Sequence, residues 1–117
     1  MILVAVFRSG ASYSGRTGVV PLDDLPDVLA IVEPSPQQTI LMSVFRQSGN
    51  LDREYLCEDR ETAIGETNKL FRRMKEPSVR IWENLENVCD VRRPYGSSRG
   101  TREGKKIWGV ELRLVEK

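Results

Sequence analysis

Apolar residues occupy both alternating sets of positions at the start of the chain, with Ile2, Val4 and Val6 on one side and Leu3, Ala5 and Phe7 on the other. Successive side chains of a strand point to opposite faces. A stretch that is apolar in both phases therefore predicts a strand covered on both sides. The same letters return at Ile40–Arg46, where Ile40, Met42 and Val44 oppose Leu41, Ser43 and Phe45. Ile2, Leu3, Val6, Phe7 and Arg8 have identical counterparts in Ile40, Leu41, Val44, Phe45 and Arg46. Ser-Gly follows each copy, after one inserted residue, Gln47, in the second. Self-similarity of this kind marks one supersecondary unit used twice.

Each copy is followed by a Gly-containing turn and a short strand candidate, Thr17–Val20 in the first unit and Glu54–Cys57 in the second. Helical spacing comes next. Leu22, Leu25, Val28, Leu29 and Val32 predict a short helix beginning near Pro26, which a helix tolerates only in its first turn. Pro34 and Pro36 close it. Ala63, Ile64, Thr67, Leu70, Phe71 and Met74 form one stripe of a longer helix over Arg60–Lys75. Asp59 is placed to cap that helix, with Arg72, Arg73 and Lys75 in its last turn and Pro77 beyond. Val79–Leu85 and Lys106–Val115 then read as strands, the last with Trp108, Val110, Leu112 and Leu114 in one phase.

The predicted order is β-β-α, β-β-α, β-β. It implies a single α+β domain over 1–117, with a mainly antiparallel sheet and two helices on one face. The units span about 1–38 and 39–77, and a C-terminal β-hairpin spans about 78–117 with a basic loop at 92–106. If both helices lie on one face, the second apolar face of the repeated strands needs another cover. Irregular loops or a second subunit would provide it, and a homodimer is the expected arrangement.

Composition narrows the chemistry. Eighteen basic and 17 acidic residues leave a net charge of +1, so any grip on a polyanion must be local. Histidine is absent, which removes the usual general base, the commonest neutral metal ligand and any Ser-His or Cys-His dyad. The expectation is a non-enzymatic protein without a cofactor or metal. Cys57 and Cys89 have no metal-ligand or redox spacing and read as small apolar residues. No apolar run reaches membrane-spanning length, and Met1–Phe7 lacks a basic leader, so a cytoplasmic protein that avoids membranes is expected.

Two loops carry candidate binding residues. Gly10–Thr17 approaches the phosphate-cradling pattern G-x-x-x-x-G-K-[ST], but Arg16 stands in place of the lysine. Gly18-Val19-Val20-Pro21 follows where a helix should start. The segment then reads as a hairpin connection or as an anion-contacting loop using Tyr13, Arg16 and Thr17, without hydrolysis. The second loop contains Arg92, Arg93, Tyr95, Arg99, Arg102, Lys105 and Lys106 among Gly and Ser. Arginine pairs with two phosphate oxygens at once and tyrosine stacks on bases; a solvated loop explains the same letters. If the two loops meet, they would form one anion site.

The acidic groups Asp23/Asp24/Asp27 and Glu58/Asp59/Glu61 offer metal ligands on paper, but they sit where helix N-termini favour negative charge. Trp82 and Trp108 read as core or cross-strand residues before they read as base-stacking platforms. The sequence thus points to a small binding protein for an anionic ligand, a nucleic acid or a phosphate-bearing nucleotide. A second reading is a protein–protein inhibitor or adaptor that docks its basic loop on an acidic or nucleic-acid-binding groove of an enzyme. A metal-dependent nuclease or nucleotidase comes third.

Overall fold

The computed structural model describes residues 2–11, 18–93 and 100–117. Strands β1 (Val4–Arg8) and β2 (Val19–Pro21) lead into a 3-10 turn at Leu22–Asp24 and a single-turn helix α1 (Leu25–Val28). Strands β3 (Gln38–Arg46) and β4 (Leu51–Cys57) precede the long helix α2 (Arg60–Arg73). Strands β5 (Ser78–Glu83) and β6 (Ile107–Glu116) follow. The expected element order is observed. All six strands join one sheet in the order β2-β5-β1-β6-β3-β4, and every pairing is antiparallel.

The connectivity departs from two simple hairpins. β5 lies between β1 and β2, and β1 lies between β5 and β6. The expected C-terminal hairpin is therefore not formed. The two final strands are joined by a long connection, and their free edges are taken by β1, whose apolar faces match both. Only β3 and β4 pair as sequence neighbours within a unit.

The repeat acquires a geometric meaning in the sheet. Its copies, β1 and β3, flank β6 in the same register. Val4 and Met42 oppose Leu112, and Ala5 and Ser43 oppose Glu111. Val6 and Val44 oppose Val110, and Phe7 and Phe45 oppose Gly109. A side chain at Gly109 would place its Cβ 2.8 Å from the Val6 carbonyl oxygen and closer still to the Phe7 ring. Glycine at this point is what allows Phe7 to lie across the strand.

Both helices pack on one face, as expected. Val4, Val6, Ile40, Met42, Val44, Val110 and Leu112 form a buried cluster there with Leu25, Leu29, Ala63, Ile64, Leu70 and Phe71. α2 starts where the Asp59 carboxylate accepts a hydrogen bond from the Thr62 N–H at 2.8 Å, the capping role its sequence position predicts. Its end is earlier than expected. Lys75 takes φ +60°, and the Lys75 and Glu76 N–H groups close back on the Arg72 and Phe71 carbonyls at 3.0 and 3.1 Å. This is a Schellman closure, with a lysine in the left-handed position where glycine is usual. The irregular segment after α1 is held by the Arg60 guanidinium, which donates to the Ile31 and Leu29 carbonyls at 2.9 and 3.0 Å.

Over β1 the second face is covered by the chain itself. Ile2, Ala5 and Phe7 are fully buried beneath Leu85, Val88 and Val91, with Ala11, Trp82 and Trp108 in the same cluster. Phe7 sits between the two indoles, with centroids 5.2 Å from Trp82 and 4.8 Å from Trp108. The argument for a dimer from an uncovered face therefore loses its premise over β1. Trp108 also lies opposite to expectation. A register shift between Phe45 and Arg46 breaks the alternation of β6, which leaves Ile107 against the helix side and turns Trp108 to the other. A bulge of this kind re-aims side chains by one phase.

Candidate anion-binding cleft

The sheet end where β1 and β3 finish and β6 begins gathers many basic residues, and their partners decide which are available. The Arg8 Nε bonds Glu76 Oε1 at 2.6 Å, a half-buried pair tying β1 to the end of α2. Arg46 meets Asp52 at 2.7 Å, and Arg53 meets the other oxygen of the same carboxylate at 2.9 Å. Burial pushes the Asp52 carboxyl up, but hydrogen bonds from Arg53 and Arg46 outweigh it and hold the group below the usual aspartate range. The Arg80 Nε donates to the Ser9 carbonyl at 2.6 Å. These four arginines serve the fold.

Arg92 and Arg93 differ. They follow the covering segment, in which the Asn87 side chain accepts from the Cys89 N–H at 3.0 Å and starts the 3-10 turn Val88–Asp90. Val91, buried in the second-face cluster, anchors them. Neither guanidinium meets a carboxylate among the described residues. They border a cleft of about 350 Å³ with Gly49, Cys89, Val91 and Trp108. Gly49 takes φ +91°, and a Cβ there would lie 2.9 Å from Arg93 Nη1. The glycine both makes the turn and leaves room for the guanidinium.

Two buried polar groups lie at this junction without partners among the described residues. Trp108, 2% exposed, has no acceptor for its Nε1–H. Gln47 is fully buried, and neither its Oε1 nor its Nε2 is hydrogen-bonded. Its backbone N–H donates to the Lys106 carbonyl at 2.7 Å, and the Ser48 N–H donates to Gly104 at 3.1 Å, so the turn after β3 is stitched to the residues entering β6. Composition alone did not mark Gln47. The available signal was its position as the one insertion that breaks the repeat between Arg46 and Ser48-Gly49.

The basic loop residues do not converge on one point. Lys105 and Lys106 line a different cleft, of about 360 Å³, on the helix side with Arg8, Met74 and Glu76. Lys106 also lies 3.1 Å from Glu103. Arg102 is exposed and lines neither cleft. Tyr13, Arg16, Thr17, Tyr95 and Arg99 lie outside the described residues. Ala11 and Val91, near the start of those two segments, do share one buried cluster with Trp108.

No group of three or more Cys, Asp or Glu side chains among the described residues is arranged to hold a metal ion. Asp59 is engaged as a helix cap. No helix among the described residues is long and apolar enough to cross a membrane. Comparison with family models, with curated proteins and with solved structures returns no match.

Proposed function

We propose that this protein is a non-enzymatic binder of a phosphate-bearing ligand of nucleotide size, free or as part of a nucleic acid strand, and that Arg92 and Arg93 hold the phosphate. One observation carries the reading: two adjacent guanidiniums, without carboxylate partners among the described residues, frame a cleft backed by the buried Trp108. Arginine offers paired donors to phosphate oxygens, and the buried Trp108 backs the cleft with an apolar wall. The cleft volume lies at the lower end of the range for small-molecule sites. The near-neutral net charge favours such a local site over a grip along a duplex.

The test is titration with ADP and, separately, with a ten-residue oligothymidylate, read by tryptophan fluorescence and thermal shift. Binding of at least one probe is expected, weakened tenfold or more in the Arg92→Ala/Arg93→Ala double variant. A steep loss of affinity with salt for the oligonucleotide alone assigns the strand as ligand. Absence of a response to both probes, or unchanged affinity in the double variant, overturns the proposal.

A further inference from the structure

The two edges of the sheet are built differently. β2 is three residues long and ends in Pro21, which cannot donate to another strand. Short strands and prolines are the usual means of blunting an edge. β4 is seven residues long, contains no proline, and has no strand on its outer side. Its Tyr55 and Cys57 face the helix side of the sheet, opposite Met42 and Ile40, and between β4 and α2 runs a groove of about 390 Å³. Leu70 lines its apolar part, and Arg53, Glu66 and Arg73 line its charged part.

The charges in the groove are unequally engaged. Arg53 is held by Asp52 at 2.9 Å, and Glu66 lies 3.7 Å from Lys69. Arg73, exposed in the last turn of α2, has no carboxylate partner among the described residues. Burial raises both the Tyr55 hydroxyl and the Cys57 thiol, so neither adds negative charge at neutral pH. An open strand edge, an apolar slot and an unneutralised cation thus lie side by side.

We propose that this groove receives an extended peptide segment of a partner protein, added as a strand antiparallel to β4. It would place an apolar side chain beside Tyr55 and, two residues further along the peptide, a carboxylate beside Arg53 and Arg73. Strand addition supplies affinity through main-chain hydrogen bonds, and alternate side chains supply selectivity. The antiparallel direction continues the pattern of every pairing in the sheet. The intervening peptide residue falls on the opposite face beside Leu56, which is 61% exposed.

Selection of random displayed decapeptides on the immobilised full chain tests this, with the Arg73→Glu variant as counter-target and circular dichroism as the check on its fold. Arg73→Ser replaces it if the charge reversal unfolds the protein. Enrichment of an apolar-x-acidic pattern is expected, with at least tenfold weaker binding to the variant. The selected peptide should slow hydrogen exchange of the β4 amides. A selection that yields no peptides, peptides that bind wild type and variant alike, or protection at Cys89–Arg93 instead of β4 overturns the proposal. The last outcome would leave the anion-binding reading untouched, because that reading rests on different residues.

Discussion

Gly109 and Gln47 lie close together in the fold and make opposite demands on stability. Gly109 sits where two copies of the same phenylalanine, Phe7 and Phe45, oppose β6, and even one methyl group would collide with the Val6 carbonyl and the Phe7 ring. Gly109→Ala is expected to destabilise the protein by about 2–3 kcal/mol, the range of overpacking in a rigid core. A lower urea midpoint with an unchanged slope is the measurement. Gln47 has the reverse problem, since its amide is desolvated without compensation. Leaving such a group unpaired costs about 1–3 kcal/mol, whereas an apolar group of similar shape does not carry that cost. Gln47→Met is therefore expected to raise the midpoint, by the equivalent of about 1 kcal/mol. A fall would show that the amide has a partner in solution.

Most strands and the long helix were legible because period and capping are local, but helical spacing carried the first helix too far: α1 ends at Val28, with Leu29 already extended. The two-phase apolar runs gave β1 and β3, the stripe through Phe71 gave α2, and Asp59 gave its start. Three features were hidden for reasons that are also physical. Strand order depends on which edges meet, and nothing in the period of β5 says that β1 will separate it from β6. The bulge at Trp108 reverses a phase that strict alternation assigns otherwise. Leu85, Val88 and Val91 cover the second face from an irregular, Glu- and Asn-containing segment with neither strand nor helix period. The basic character of the candidate site was legible, but which arginines lack carboxylates was not, because Arg8 and Glu76 meet only in the folded chain. Lys75 shows the same limit at a helix end. Its charge suits a last turn, yet its backbone is left-handed. Lys75→Gly removes that conformational penalty and should stabilise the protein by up to about 1 kcal/mol, measured as an upward shift in Tm.

Across the whole molecule, a net charge of +1 leaves any attraction for an anion to local groups. Arg92 and Arg93 border one cleft at the end of the sheet where β6 begins, and Lys105 and Lys106 line another together with Glu76. The long groove beside β4 lies along a side edge, so a phosphate ligand and a strand-like peptide would occupy different parts of the surface. The placement of β6 between the two repeat copies has a consequence in time. β1 and β3 precede β6 in the chain and are not neighbours in the sheet; both are joined through Ile107–Glu116, the last of the sheet's six strands in chain order. Before that strand is in place, the edges of β1 and β3 that β6 occupies lack their native partner. The two repeat copies are thus one cooperative sheet through β6 rather than two independent units, and loss of β6 is expected to unfold both together, read as a single transition in circular dichroism.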